Sequence, residues 1–359
     1  MTKQRFTGAI LAMLFLFFSG HFLAASPVPA FFNARNPGFQ YTGRIDFSRP
    51  AAPRFWMPGA YVTARFRGSH CRILIRDQVR FGTNHNDVGI MVDGHQSVRI
   101  RMQHRMDTID IDAGHEKDIH TIIICKDTES GIGYLDFLGM WCDQLLPPVA
   151  MASRRIEFIG NSITCGSGSD LEIPCDSGVW YAQQNALESY GPMTARNLGA
   201  RWMLSAVSGI GLIHSCCAMQ ITMPQVFDKL DMRDDSIAWD FSGHAPDVVT
   251  ICLGQNDGIQ DSARFCQAYE RFIRGLRGHY PEAKIICLNS PMGNEKLTAV
   301  LKNYITAVVA QMRVSGDDHV YRFFFSRRFH HGCGGHPDQA EHRIIAGELT
   351  GYIRRITGW

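Results

Sequence analysis

From about residue 39 to 141, apolar and polar positions alternate in short stretches, at 61–66, 71–75, 88–92 and 121–125, with no sustained helical periodicity. Side chains that alternate at period two belong to strands with one buried face. Asp93-Gly94, directly after the third stretch, is a pairing that a hairpin turn selects. The pattern predicts an antiparallel β-sandwich, jelly-roll-like, of roughly a hundred residues. Its expected span is 26–148, closed by Leu146-Pro147-Pro148.

From Arg154 the period changes. Apolar runs of strand length at 156–159, 202–207, 248–253, 284–288 and 319–325 alternate with helical patterns. Phe265, Tyr269, Phe272, Ile273, Leu276 and Tyr280 share one helical face, which Pro281 ends. Leu297, Val300, Leu301, Ile305, Val308 and Met312 share the next. Five strands joined by helices predict an α/β unit over 149–359, a doubly wound five-stranded parallel sheet. Such sheets bind ligands at the carboxyl ends of their strands.

Composition narrows the partners. Lys plus Arg (36) nearly balance Asp plus Glu (34) in 359 residues, so no broad basic face is available for nucleic acid or anionic lipid. Lys3 and Arg5, the apolar stretch 6–18 and Leu23-Ala24-Ala25 form the pattern of a signal peptide over 1–25. The stretch is short for a membrane span, so the expected location is periplasmic or secreted, without membrane insertion after cleavage. All 11 cysteines follow this leader, and the odd count leaves at least one unpaired. An oxidising compartment permits disulfides. Cys165 and Cys175 bracket a short loop and are candidates for a bridge. Cys252 and Cys287 lie in strand-like runs and read as small buried apolar residues. Cys216 and Cys217 are adjacent, which the usual disulfide separation disfavours.

Candidate chemistry begins at Gly160-Asn161-Ser162-Ile163-Thr164, directly after the first parallel strand. A serine at a strand-to-helix turn presents its hydroxyl and its N–H together. Alone, Ser162 is more simply a helix cap. Three segments follow in the order an acyl-transfer site needs: Ser208-Gly209-Ile210-Gly211, Gly254-Gln255-Asn256-Asp257 and Gly335-His336-Pro337. Each is a turn when taken singly. Together they supply a nucleophile, Ser162, and a base, His336, expected to open the last helix with Pro337 in its first turn. Oxyanion donors are expected from the Ser162 N–H, the Gly209 N–H and the Asn256 side-chain amide. No cofactor is required.

This ordered set resembles the four blocks of the SGNH, or GDSL-type, esterases. More closely, residues 155–166, 185–211, 239–257 and 265–281 are similar to the family two carbohydrate esterases, which join an N-terminal β-sandwich to an SGNH hydrolase domain. The similarity covers nearly all of the chain beyond the leader. It implies removal of acetyl groups from plant-wall polysaccharides such as xylan and glucomannan. It also implies Ser162 as nucleophile, Gly209 and Asn256 as oxyanion donors and His336 as base. Two positions depart from the SGNH pattern: Asn161 stands where the block usually has aspartate, and Cys333 where an aspartate commonly precedes the histidine by three residues. Members of the resembled family work as a Ser-His dyad with a backbone carbonyl in the third position. The resemblance therefore implies that a main-chain oxygen near Cys333 or Gly332 holds His336.

Trp180, Tyr181 and Trp239 offer aromatic faces to a sugar ring, with core packing as the other reading; Trp180 and Trp239 are the substrate-binding candidates. His214, near the glycine block, is expected to be structural. His330, His331, Cys333, His336 and His342 do not match a standard zinc spacing, and no metal is expected. The expected partner is an acetylated polysaccharide or oligosaccharide. Two other functions stay open. One is hydrolysis of lipid or thioester acyl groups, which a wide apolar channel would mark; the other is carbohydrate binding on a degenerate esterase scaffold. The sandwich carries no chemistry legible in the sequence.

Overall fold

The computed structural model describes residues 1, 29–233 and 237–359, so the expected leader, Met1 aside, lies outside the described residues. Two six-stranded antiparallel sheets form the N-terminal part. One has the order Ile45–Asp46, Arg54–Phe55, Leu135–Cys142, His70–Asp77 and Met106–Asp112, with Ala30–Asn33 also paired to Leu135–Cys142. The other has the order Gln144–Leu146, Tyr61–Arg67, Ile119–Lys126, Asp87–Val92 and Val98–Arg101, with Gln40–Thr42 also paired to Tyr61–Arg67. Val62, Phe66, Ile122 and Ile124 from the second sheet meet Ile73, Ile75, Phe137 and Met140 from the first in one buried core.

The four predicted runs are all strands here. The other strands of the two sheets are not marked by that pattern, and two of them show why. Met106–Asp112 is an edge strand, where Asp107, Asp110 and Asp112 interrupt the apolar signal. Leu135–Cys142 is broken by a register shift next to Gly139, which has φ 145°. A Cβ at Gly139 would fall 2.3 Å from the Phe32 carbonyl oxygen.

The second part is a five-stranded parallel sheet in the order Arg201–Ala206, Arg155–Gly160, Val248–Ile251, Lys284–Leu288 and Val320–Phe323. All five expected strands are present. Chain order reverses at Arg155–Gly160, so the loops after its carboxyl end and after those of its two neighbours converge at the switch point. Helices Ser262–His279 and Glu295–Val314 bury their apolar stripes in one core cluster, and Tyr190–Asn197 and Gln339–Thr357 in another. Asp261, Asn294 and Asp338 cap three of these helices by accepting backbone N–H bonds in the first turn.

The sandwich and the parallel sheet are joined by specific buried contacts. Arg44 is fully buried; its guanidinium bonds Glu157 at 3.1 Å and the carbonyls of Phe227 and Lys229 at 2.6 and 2.8 Å. The Trp202 indole N–H donates to Gly59 O at 2.9 Å, and its ring stacks on Tyr61 at 4.0 Å. A buried cation is tolerated only when its donors are paired, and here most of them are.

Candidate active site

Ser162 follows the strand Arg155–Gly160 and begins the short helix Ser162–Cys165. Its own N–H lies in a first turn, where donors have no intrahelical acceptor. The cap is Asn161, not Ser162: its side-chain oxygen accepts the Ile163 N–H at 3.2 Å. The Asn161 amide nitrogen lies 3.4 Å from the Cys252 carbonyl oxygen. That contact explains the departure from aspartate, because a carboxylate there would face a carbonyl with no hydrogen to offer.

His336 approaches from the other end of the sequence. Its Nε2 lies 2.8 Å from Ser162 Oγ, and its Nδ1 lies 3.1 Å from the main-chain oxygen of Cys333. With the proton on Nδ1 donated to that carbonyl, Nε2 is left as the acceptor for the serine hydroxyl. Burial pushes the imidazole below its ordinary value of 6.5, against a smaller upward pull from the Cys333 carbonyl. The residue does not open the last helix as expected. That helix is Gln339–Thr357, capped by Asp338, so His336 and Pro337 precede it in the loop after a single turn at Cys333–Gly335.

Backbone contacts dock this loop on the exit of the serine helix. The Cys333 N–H donates to Gly168 O at 2.8 Å, and the Gln339 N–H to Ser169 O at 3.0 Å. Gly168 has φ 68°, and a Cβ there would fall 2.4 Å from Cys333 O, the atom that receives the His336 proton. Any side chain at 168 would displace that acceptor.

Gly209 and Asn256 lie on the loops after the two neighbouring strands, and both line the same cavity of about 680 Å³ as Ser162 and His336. Gly209 has φ 86°. Among the described residues its N–H has no protein acceptor. The Asn256 amide spends one hydrogen on Ile210 O at 2.8 Å, leaving the other for the cavity. Asp257 ties the two loops together, accepting the N–H groups of Leu212, Ile213 and His214 at 2.9, 2.7 and 3.1 Å. Burial raises its carboxyl, and those same N–H groups oppose the rise.

A carbohydrate esterase 2 N-terminal model matches residues 41–148, and a GDSL-like lipase/acylhydrolase family model matches residues 158–342. A solved family two carbohydrate esterase from Clostridium thermocellum, in complex with cellohexaose, superposes with a TM-score of 0.82 at 31% identity. The alignment covers 90% of this chain and 100% of that one. The chain belongs to the family two carbohydrate esterases. The cellulase/esterase CelE of Acetivibrio thermocellus is 32% identical over 90% of this chain, which spans 40% of the length of that relative. An acetylxylan esterase / glucomannan deacetylase of Cellvibrio japonicus is 27% identical over 91% of both chains.

In this family two esterase Trp180 stands at the cavity wall, 65% exposed. Trp239 does not. It is buried beside Met203 and Leu230, with the Arg44 guanidinium 5.4 Å from its ring, so its expected place on the substrate surface is corrected to a core position. Tyr181 is likewise buried. His214 packs by its own N–H on Asp257, consistent with a structural role.

The cysteines differ most from expectation. Cys175 is bonded to Cys333, not to Cys165, which is buried and free. Cys216 and Cys217 are bonded to each other despite their adjacency, in a turn that gives Cys217 and Ala218 φ of 61° and 62°. Both pairs line the cavity. Cys252 and Cys287 are free and buried, as read from their strands. Of the clustered histidines, His342 is fully buried and accepts the Tyr190 N–H at 3.1 Å, and burial pushes it down to about 3. His330, His331 and Glu341 bring potential ligand atoms within 4.8 Å of one another, outside the cavity lining.

Proposed function

We propose that the protein is an exported serine esterase that removes O-acetyl groups from plant-wall polysaccharides such as xylan and glucomannan. The observation that carries this reading is the continuous path Ser162 Oγ, His336 Nε2, His336 Nδ1, Cys333 O, at 2.8 and 3.1 Å. It supplies a nucleophile, a base and a group that orients the base, without a side-chain carboxylate. The leader-like pattern at 1–25 supports export.

In this mechanism His336 takes the Ser162 hydroxyl proton as Oγ attacks the acetyl carbonyl carbon. The negative charge that develops on the carbonyl oxygen is met by the N–H groups of Ser162 and Gly209 and the amide of Asn256. Collapse breaks the bond to the sugar oxygen, which leaves as a hydroxyl with the proton returned by His336. Water then attacks the acetyl-serine with His336 again as base, releasing acetate and regenerating Ser162. The exposed Trp180 at the wall and the polar groups around the cavity suit a glycan better than a long acyl chain.

The test is acetate release from acetylated xylan and glucomannan by the wild type and by Ser162→Ala, beside long-chain acyl esters. Ser162-dependent acetate release with little long-chain activity is expected. Glycan binding without any Ser162-dependent release would favour a binding protein and overturn the reading.

A further inference from the structure

The sandwich sends one side chain into the hydrolytic machinery. Glu129 follows the sandwich strand Ile119–Lys126, caps a single turn at Ser130–Ile132, and is fully buried. Its Oε2 accepts the Ser208 N–H at 2.7 Å. Its Oε1 lies 3.4 Å from Nη2 of Arg233, and the same Nη2 lies 3.4 Å from the Ser208 carbonyl oxygen. Ser208 is held a third time through its hydroxyl, 2.9 Å from Ser167 Oγ.

The consequence follows from peptide connectivity. The Ser208 carbonyl and the Gly209 N–H belong to one planar peptide group. A cation donating to that carbonyl fixes the plane, and so the direction of the Gly209 N–H. It also polarises the amide, which strengthens the N–H as a donor. Glu129 fixes the preceding N–H and holds the guanidinium in place. The chain leaves room for this arrangement: a Cβ at Gly131 would fall 2.7 Å from Arg233 Nε.

A buried carboxylate paired with an arginine adds little to stability compared with apolar packing, so its use here points to geometry. We propose that Glu129 and Arg233 are positioning residues that aim the Gly209 N–H at the oxyanion, and that the sandwich thereby supplies part of the catalytic apparatus. This rests on the reading of Ser162 as nucleophile and Gly209 as oxyanion donor.

Arg233→Ala and Glu129→Gln test it in the full chain, with Ser162→Ala as control. Arg233→Ala leaves the buried Glu129 carboxylate without its cation and is expected to lower stability, so its kinetics are read at a temperature where it stays folded. Glu129→Gln keeps an acceptor for Ser208 and removes the charge that orients Arg233. Removal of a whole oxyanion donor costs about 10²–10³ in kcat, and misdirecting one is expected to cost about 10- to 100-fold. KM is expected to stay within about twofold, because the interaction matures only in the transition state. The drop should be the same on acetylated glycan and on 4-nitrophenyl acetate. Phenylboronic acid, which adds to a serine hydroxyl as an anionic tetrahedral mimic, should lose affinity by the same factor. Arg233→Lys should recover only part of the loss, since an ammonium lacks the planar fork. The double variant should be no worse than Arg233→Ala, because the two residues act in series.

Folded Arg233→Ala with kcat within twofold of wild type overturns the proposal. So does a loss of melting temperature and a raised KM with boronate affinity unchanged, the signature of a merely structural tie. If Ser162→Ala itself stays active, the reading of the site has failed and not the clamp alone.

Discussion

His336 Nδ1 lies 3.1 Å from the main-chain oxygen of Cys333, at the place where many SGNH enzymes bring an aspartate side chain to the imidazole. The thiol is not a substitute for that carboxylate, since Cys333 Sγ is bonded to Cys175. Cys333→Ala and Cys175→Ser both keep the carbonyl and lose the cross-link. Each is expected to cost about 2–5 kcal/mol of stability, the usual range for removing a native disulfide. Turnover at a temperature where the variant stays folded is expected within about tenfold of wild type. Chemical denaturation and acetate-release rates check both, and near-total loss of turnover in a folded variant would count against the carbonyl as the orienting group.

The same carbonyl sets the pH behaviour. A neutral dipole stabilises imidazolium less than a carboxylate would, and burial lowers the His336 value below its ordinary 6.5. The neutral imidazole is the base, so activity is lost as pH falls through the lowered value. The acid limb of kcat/KM is therefore expected below pH 6.5, with the plateau reached by neutrality. A profile measured on 4-nitrophenyl acetate checks this, and a midpoint above 6.5 contradicts it.

The parallel sheet and the four site segments were legible because strand ends, turns and helix stripes are local patterns. Ser162, Gly209, Asn256 and His336 all line one cavity, and their sequence order follows from the order of the strands that carry them. What escaped the sequence is contact between distant segments. Nothing near Cys175 signals a partner 158 residues away, and nothing near Glu129 or Arg233 signals their pairing across 104. Trp239 misled because an aromatic residue in a polar stretch looks the same whether it faces a cleft or covers a buried arginine. The pattern starts the last helix at His336 because Pro337 fits a first helical turn, but Asp338 provides the cap and the helix begins at Gln339.

Asn256 separates chemistry from binding. Removal of its amide in Asn256→Ala takes one donor from the oxyanion and also frees the Ile210 carbonyl. A fall in kcat of about 10²–10³ with little change in KM is expected, as for a single oxyanion-hole donor elsewhere. Steady-state kinetics on a small acetyl ester isolate this effect from glycan recognition, and an increase in KM at constant kcat would place Asn256 in ground-state binding instead.

Trp180 is expected to show the opposite signature. Trp180 is 65% exposed, and its ring stands edge-on to Tyr181 at 5.5 Å. A side chain this exposed buries little apolar area in the fold, so Trp180→Ala should fold as well as the wild type. An aromatic pair is worth about 0.5–1.5 kcal/mol beyond its buried area, and a ring packed on the apolar face of a pyranose is taken to be of the same order. Its loss should raise KM for acetylated xylan or glucomannan several-fold, while 4-nitrophenyl acetate, which carries no sugar, keeps its kinetics. Comparison of kcat/KM on polymer and small ester decides the matter: equal losses on both would mean that Trp180 shapes the loop carrying Cys175, and not a sugar subsite.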